Sequence, residues 1–201
     1  MSRWESHPLS EVCQIKPPKR EAKEKLADTA LVSFVPMRNL GICSKNIELT
    51  EDRPLSKVFS SYTYFADDDI LLAKITPCFE NGKLGVARGL TNGVGFGSSE
   101  YIVLRSKGKI DSEYLFHYLS QNSFRATGAK TMNGAVGHKR VPKEFIEELE
   151  IPLPPLLEQK RIVAILMRPL RASARRLPMP RKTSATPASY LKAISMKNLQ
   201  W

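Results

Sequence analysis

Two polar segments place basic and amide side chains close to glycines. Residues 74–83 contain Lys74, Asn81 and Lys83. Residues 128–140 contain, between three glycines, Lys130, Asn133, His138, Lys139 and Arg140. Glycine lets the backbone approach a partner closely, lysine and arginine neutralise phosphates, and arginine and asparagine can pair with the edges of guanine and adenine. Each segment alone has the composition of an ordinary polar loop, so together they favour nucleic-acid contact only modestly.

Three other groups of residues could suggest an enzyme, and each has a simpler explanation. Gly93, Gly95 and Gly97 lack the strand, the helix and the Gly-Lys-Ser/Thr sequence of a phosphate-binding loop. The carboxylates at 67–69 favour a solvated turn, because neighbouring side chains of a strand point to opposite faces and cannot all bind one metal ion. The histidines lie in no recognisable frame with a nucleophile. We therefore expect no catalytic residue, no metal ligand and no cofactor.

The distribution of charge weakens a conclusion that the net charge suggests. A formal charge of +11 at first indicates a polyanionic partner. However, residues 167–201 hold eight lysines and arginines and no acidic residue, whereas residues 1–166 hold 23 basic and 20 acidic residues. The high charge belongs mainly to the C-terminal region and is weak evidence about the rest of the chain.

Length and composition predict one domain followed by a tail, since 201 residues with 42% hydrophobic content can bury a normal core. The sequence contains no apolar run of about 18 residues, so no membrane span is expected. Residues 1–15 lack an apolar signal core, which predicts a cytoplasmic protein. Three distant cysteines indicate neither a disulfide framework nor a zinc site.

Short apolar runs separated by glycine, proline and asparagine predict the fold class α+β, with a compact, irregular, β-rich domain that carries short helices. Strands are expected at 8–15, 30–35, 84–87, 101–104 and 149–153, and on both sides of a turn at 67–69 within 62–75. Residues 16–28 and 128–140 are expected to be loops and residues 93–97 a flexible turn. Helices are expected at 55–59, after the capping residue Asp111, around Phe124 and at 142–148.

A longer amphipathic helix is expected after Pro154 and Pro155, which stop the last strand. Its apolar side chains are Leu156, Leu157, Ile162, Val163 and Leu166. Four prolines follow among arginines, serines and threonines, so the helix is expected to end after Leu166. The predicted organisation is a domain at 1–153, the start of a helix at 154–166 and a disordered basic tail at 167–201.

Seven segments, in order along the chain, resemble the DNA-specificity subunits of type I restriction–modification systems. They are PLSEV at 8–12, VPMRNLG at 35–41, DDDILLAKITPCFENGK at 67–83, GFGSSEYIVLR at 95–105, EYLFHYL at 113–119, MNGAVGHKRV at 132–141 and LEIPLPPLLEQKRIVAIL at 149–166. The last segment is the most specific, because it resembles the junction between a target-recognition domain and its spacer helix. The resemblance covers residues 8–166.

The resemblance implies non-catalytic, sequence-specific binding of double-stranded DNA by one target-recognition domain. It adds Ser98 and Ser99 to the candidate DNA-binding residues. Subunits of this family carry two such domains, and their paired spacer helices dock methylating subunits, which restriction subunits then join. The apolar side chains of the predicted helix are therefore candidates for partner contact, and no membrane partner is implied.

The chain departs from the family pattern in having one recognition domain and a spacer helix of about three turns. Codons can be chosen for Met167–Ser195 that encode, one base earlier, an amphipathic helix similar to the family's spacer, so we interpret the tail as a frameshift product. Assembly with methylating subunits is then expected to be impaired. Two alternatives stay open: a regulatory or antirestriction module that binds the methylating subunit, and a stand-alone DNA-modifying enzyme.

Overall fold

A computed structural model of the chain describes residues 4–174 and divides the chain into two units, Met1–Ile165 and Leu166–Trp201. The strands are β1 Ser6–Pro8, β2 Cys13–Ile15, β3 Leu31–Val35, β4 Asp52–Pro54, β5 Thr63–Ala66, β6 Ile70–Ala73, β7 Leu84–Val86, β8 Val94–Gly97, β9 Tyr101–Ser106 and β10 Glu150–Pro152. The helices are α1 Leu9–Val12, α2 Arg20–Lys25, α3 Leu55–Val58, α4 Ser112–Leu119, α5 Asn122–Thr131, α6 Lys143–Glu147 and α7 Leu156–Ala174. This mixture of short strands and helices confirms the predicted α+β class.

Two four-stranded sheets form the body of the first unit. The first sheet has the order β2-β9-β6-β7 and is antiparallel throughout. The second has the order β4-β3-β8-β5, and its central pair, β3 and β8, is parallel. A small antiparallel pair of β1 and β10 brings the two ends of the unit together. Strands distant in sequence are thus neighbours in space.

The two sheets share an apolar core. One buried cluster joins Val35 and Phe65 of the second sheet to Leu71 and Val103 of the first. A second cluster packs α2 and α3 against the second sheet through residues such as Val32, Leu55, Val58 and Phe96. Strands β3, β5, β6, β8 and β9 and helices α2 and α3 each place apolar side chains in one or both of these clusters.

The glycine-rich stretch 93–97 is mostly the buried strand β8, so its prediction as a flexible turn was wrong. A Cβ added at Gly95 would lie 2.2 Å from Cε2 of Phe65, and one at Gly97 would lie 2.3 Å from the carbonyl oxygen of Val35. Glycine is therefore required at these two positions because neighbouring strands approach too closely for a side chain. The stretch is not a binding loop.

Three local predictions near the N-terminus and the middle of the chain were also wrong. Residues 8–15 do not form one strand, because α1 interrupts them between β1 and β2. The expected loop at 16–28 contains α2, whose Ala22 is fully buried against the second sheet. The expected loop at 128–140 is shorter, because α5 continues to Thr131 and packs Gly128 against Phe79 and Phe145.

Helix α4 follows its prediction closely. The side chain of Asp111 accepts hydrogen bonds from the backbone N–H groups of Glu113 and Tyr114, at 3.0 Å each. This is the cap that the sequence predicts. Tyr114, Leu115 and Leu119 are buried on one face. Asp111 thereby fixes the start of a helix that packs on the first sheet.

Helix α7 begins as predicted but runs to Ala174, so the expected end after Leu166 was wrong. A proline removes its own N–H from the helical ladder, but leucine, arginine and alanine after Pro169 favour helix. The fully buried side chain of Gln159 ties the first turns to the domain: it accepts from the N–H of Asp111 at 2.7 Å and donates to the carbonyls of Lys109 and Pro154. The rest of the expected tail, 175–201, lies outside the described residues.

No helix in the described part of the chain is long and apolar enough to cross a membrane.

Candidate nucleic-acid interface

A cleft of about 780 Å³ is lined by residues of both four-stranded sheets and by the segments that follow them. We call it the basic cleft. Among its lining residues are six cations and no carboxylate: Lys16, Lys19, Arg20, Lys74, Arg140 and Lys143. Tyr62, Tyr64 and Tyr101 add aromatic surface. A concave surface lined by one sign of charge concentrates the electrostatic potential, so this cleft favours a polyanion.

The backbone orients two of these cations at the cleft. The ammonium group of Lys74 donates to the carbonyl oxygen of Ser99 at 3.1 Å. That of Lys19 donates to the carbonyl of Phe59 at 2.8 Å and lies 5.0 Å from the centre of the Phe59 ring. These contacts restrict flexible side chains before any ligand binds, which reduces the entropy lost on binding.

A short hairpin at 132–141, which we call the basic hairpin, adjoins the cleft. Asn133 and Arg140 exchange two backbone hydrogen bonds of 3.0 and 2.8 Å, and the N–H of His138 donates to Ala135 at 2.9 Å to close the turn. Gly134 and Gly137 have φ values of +129° and +80°, a backbone conformation that other residues rarely adopt. The glycines predicted to allow close approach therefore shape the turn.

The base of the basic hairpin is fixed to the body of the domain. The N–H of Thr76 donates to the carbonyl of Lys139, and the N–H of Val141 donates to the carbonyl of Lys74, both at 2.9 Å. These bonds join the two polar segments that the sequence singled out. Residues 74–83 and 128–140 are therefore neighbours in space at this junction.

Arg140 and Glu100 form a bidentate ion pair at the cleft. The Nε and Nη2 atoms of Arg140 donate to the two carboxylate oxygens of Glu100 at 2.9 and 2.7 Å, and Nη1 donates to the carbonyl of His138 at 3.1 Å. The hydrogen bonds from Arg140 lower the pKa of Glu100, so the carboxylate is ionised at neutral pH. Since a guanidinium has five N–H donors, one on each Nη atom remains beyond these three bonds within the described structure.

The structure brings some predicted DNA-binding residues together. Lys74, Ser99 and Arg140 line the basic cleft. Asn133, His138 and Lys139 are exposed on the basic hairpin. Ser98 is half-buried, and its hydroxyl accepts a hydrogen bond from the N–H of Glu100 at 3.2 Å, which helps to position the partner of Arg140.

The other three predicted residues lie neither in the cleft lining nor on the basic hairpin. Asn81 is exposed at its turn, and Lys130 is exposed on α5. Lys83 has an internal role instead, because its ammonium donates to the carbonyls of Met37 and Leu40 at 2.8 and 2.9 Å. We therefore do not retain Lys83 among the proposed DNA contacts, since moving it would break two hydrogen bonds.

Sequence reasoning missed four of the six cations that line the cleft. Lys16, Lys19 and Arg20 follow β2 in the sequence Lys-Pro-Pro-Lys-Arg, and Lys143 begins α6. Three basic residues around two prolines were a visible signal. They were dismissed as an ordinary loop because nothing local shows that they face Lys74 and Arg140.

The three adjacent aspartates form no metal site. Asp67 accepts from the N–H of Leu90, Asp68 pairs with Arg88, and Asp69 pairs with Arg105. Within the described part of the chain, no group of three or more histidine, cysteine, aspartate and glutamate side chains could hold a metal ion.

Helix α7 exposes part of the apolar set expected to contact a partner. The side chain of Leu157 is 84% exposed, and Leu156 and Leu166 are 43% and 48% exposed. Ile162 is half-buried and Val163 is buried. Val163 packs within its own chain and is therefore unavailable to a partner.

Comparison with known proteins connects this architecture to a family. Residues 1–174 match the family described as the type I restriction modification DNA specificity domain. The chain belongs to this family. The resemblance drawn from the seven sequence segments is thereby confirmed.

Two curated members of the type I specificity family come from Escherichia coli. The EcoEI specificity subunit is 40% identical and the EcoAI specificity subunit 38% identical to this chain, each over 161 residues. The alignments cover 80% of this chain but only 26% and 27% of the relatives. The chain thus spans about a quarter of the length of these type I specificity subunits.

Solved structures show that the fold is shared as well. The HsdS subunit from Thermoanaerobacter tengcongensis superposes with a TM-score of 0.64 at 20% identity, over 86% of this chain and 44% of that one. A second chain, from a structure on complex assembly and conformational transition of the type I R-M system, gives a TM-score of 0.56 at 21% identity, over 87% of this chain and 40% of that one. At these identities the likeness establishes the fold alone.

Proposed function

We propose that residues 4–153 bind double-stranded DNA sequence-specifically, as a non-catalytic target-recognition domain of the type I restriction–modification family. The observation that carries this proposal is the geometry of Arg140. Its guanidinium is held by Glu100 at an electropositive cleft and keeps one donor on each Nη atom. A fixed pair of donors suits bidentate contact with the O6 and N7 atoms of guanine.

Phosphate and base contacts would involve different parts of this surface. Lys16, Arg20, Lys74 and Lys143 line the cleft and would bind the DNA backbone, which contributes affinity without sequence preference. The basic hairpin would enter a groove and contact base edges through Arg140 and neighbouring side chains. Family membership supports DNA recognition in general, because the family description names a DNA specificity domain.

A binding-site selection experiment tests the proposal. The full chain is incubated with a library of duplexes with a randomised centre, and bound duplexes are amplified over several rounds at about 150 mM salt. We expect one short consensus, bound about 100-fold more tightly than a scrambled duplex, since each wrong base pair costs about 1–3 kcal/mol. Absence of any consensus would contradict sequence-specific binding.

The C-terminal region could add affinity that hides the behaviour of the domain, because residues 167–201 are basic. A salt titration on the consensus and the scrambled duplex separates the two effects, since phosphate contacts weaken steeply with salt on both. The same duplexes, incubated with Mg²⁺ and S-adenosylmethionine, test the enzyme alternative. We expect neither cleavage nor methyl transfer, and turnover of either kind would contradict a non-catalytic role.

We further propose that α7 contributes to docking a methylating subunit of a type I complex. We also propose that the protein is cytoplasmic. The exposed side chain of Leu157 on the first turn supports the docking role. Co-purification with a methylating subunit, in wild type and in Leu157→Glu, tests it. Because assembly is expected to be impaired, we expect weak, substoichiometric retention by the wild type and less by Leu157→Glu, and equal retention by both would contradict a role for Leu157. If the wild type binds that subunit but no DNA, the regulatory alternative is favoured over target recognition.

A further inference from the structure

Val136 is the most exposed large apolar side chain in the described part of the chain. Its side chain is 93% exposed, at the turn of the basic hairpin. Single exposed apolar residues are common on protein surfaces and need no explanation by themselves. The position of this one is unusual, because it lies at the end of an anchored projection beside a basic cleft.

The hairpin holds Val136 away from the body of the domain. The paired backbones of Asn133 and Arg140 form its neck, and the hydrogen bond from His138 to Ala135 closes the turn around Val136. The Arg140–Glu100 ion pair and the backbone bond between Thr76 and Lys139 fix the neck. Valine also has few side-chain rotamers, so little entropy is lost when it is fixed on contact.

The charge around Val136 determines which partner can approach it. The chain contains no acidic residue between Glu113 and Glu144, and Lys139 and Arg140 lie on the hairpin itself. A projection with this charge attracts a polyanion. A two-stranded ribbon has dimensions that the DNA major groove, about 12 Å wide, can accommodate.

We propose that Val136 contacts the 5-methyl group of a thymine in the major groove and so contributes to sequence specificity. This inference rests on the proposed DNA-binding function. The methyl group of thymine is the apolar feature that base pairs present in that groove, and small apolar side chains recognise it there. Side chains that wedge into the minor groove are typically larger, such as phenylalanine, leucine or methionine.

Deoxyuridine provides a direct test, because it differs from thymine only in lacking the methyl group. Each thymine of the selected consensus duplex is replaced singly by deoxyuridine, and dissociation constants are measured for the full chain. For the wild type we expect one position at which binding weakens about fourfold, as for the loss of one buried methyl contact. Val136→Ala should bind the thymine duplex about fourfold more weakly and be insensitive to deoxyuridine at that position.

Leu31→Ala is the matched control, because Leu31 is an apolar residue that is 49% exposed at the opposite end of β3 from the cleft. It should retain the wild-type sensitivity to deoxyuridine. A consensus in which no thymine is methyl-sensitive, or a sensitivity that persists in Val136→Ala, overturns the inference while leaving DNA binding intact. A selection that yields no consensus overturns the proposed function and this inference together.

Discussion

Arg105 and Arg140 each donate two hydrogen bonds to one carboxylate, but the two pairs differ in their access to solvent. The side chains of Arg105 and Asp69 are 23% and 1% exposed, whereas those of Arg140 and Glu100 are 46% and 22% exposed. Arg105 also bonds Glu21, and its guanidinium lies 5.5 Å from the centre of the Tyr64 ring. The same ion-pair chemistry thus stabilises the fold at Arg105 and remains available to a ligand at Arg140.

Among the substitutions considered, Arg105→Met is expected to lower the free energy of unfolding most. Burial raises the pKa of Asp69 although Arg105 donates to both of its oxygens, so Asp69 depends on this partner. Removing Arg105 leaves a buried carboxylate without its cation, which costs about 3–5 kcal/mol in free energy of unfolding. Urea denaturation measures this loss.

Arg88→Met is the control for that measurement. Arg88 also pairs with two carboxylates, Asp68 and Glu113, but its side chain is 47% exposed. The expected loss is about 1 kcal/mol or less, because solvent screens exposed ion pairs. Equal losses in the two variants would contradict the distinction between buried and accessible arginines.

Arg140→Ala should weaken DNA binding while leaving the stability of the fold largely unchanged, the reverse of what is expected for Arg105→Met. We expect the affinity for the consensus duplex to fall about 5- to 150-fold, because one bidentate base contact contributes about 1–3 kcal/mol. The free energy of unfolding should change little, since solvent screens the exposed ion pair that is lost. Fluorescence anisotropy on labelled duplexes and urea denaturation give the two values. A variant that loses stability but keeps its sequence preference would assign Arg140 to the fold.

Arg20→Ala tests phosphate binding without base recognition. Arg20 is exposed on α2 at the basic cleft. Loss of one phosphate contact should weaken binding to the consensus and the scrambled duplex alike, by about five- to tenfold near 0.1 M salt, and reduce the salt slope by about one. A loss of affinity for the consensus duplex alone would indicate that Arg20 contacts a base and not a phosphate.

Glu100→Gln is expected to have the smallest effect on stability, about 0.5 kcal/mol at pH 7. The hydrogen bonds from Arg140 lower the pKa of folded Glu100. A carboxyl with a lowered folded-state pKa stabilises the protein above its unfolded pKa, and this contribution is lost as the pH falls through the folded value. The difference between wild type and variant should therefore shrink below about pH 4.3 in denaturation measurements. A difference that stays constant with pH would show that the ionised pair does not contribute.

Glu100→Gln should also change specificity, because Glu100 positions Arg140. Because a glutamine would hold the Arg140 guanidinium less firmly, the preference for the consensus over the scrambled duplex should fall. Non-specific binding should rise slightly, because a negative charge is lost. Thermal unfolding of the same variant controls for general damage. An unchanged preference would mean that Arg140 does not need Glu100 for its orientation.

Local sequence signals predicted the elements whose structure depends on neighbouring residues. The cap at Asp111 and the turn at 67–69 between β5 and β6 are of this kind. The strand at Gly95 and Gly97 was missed because the reason for glycine lies in Phe65 and Val35, which are distant in sequence. Composition indicated a turn, whereas tertiary packing required a strand.

At the candidate site, too, the sequence predicted residue types but not the contacts between residues distant in the chain. The two polar segments were found from residue types, and the structure joins them through the backbone bonds of Lys74 and Lys139. Lys16, Lys19 and Arg20 were missed because the cleft gathers segments more than 100 residues apart. Lys83 was selected by type although its ammonium bonds two carbonyl groups within the domain. Residue type indicates what a side chain can bind, and burial determines whether it is free to do so.

Lysine acetylation footprinting tests most directly whether the basic cleft is the DNA-binding surface. The full chain is acetylated briefly with and without the consensus duplex, and modification at each lysine is quantified by mass spectrometry. Lys16, Lys74 and Lys143 line the cleft, whereas Lys109 and Lys160 are exposed away from it. The account predicts that DNA protects the first three lysines and leaves the other two as reactive as in free protein. Equal protection of both groups, or protection of Lys109 and Lys160 alone, would contradict it.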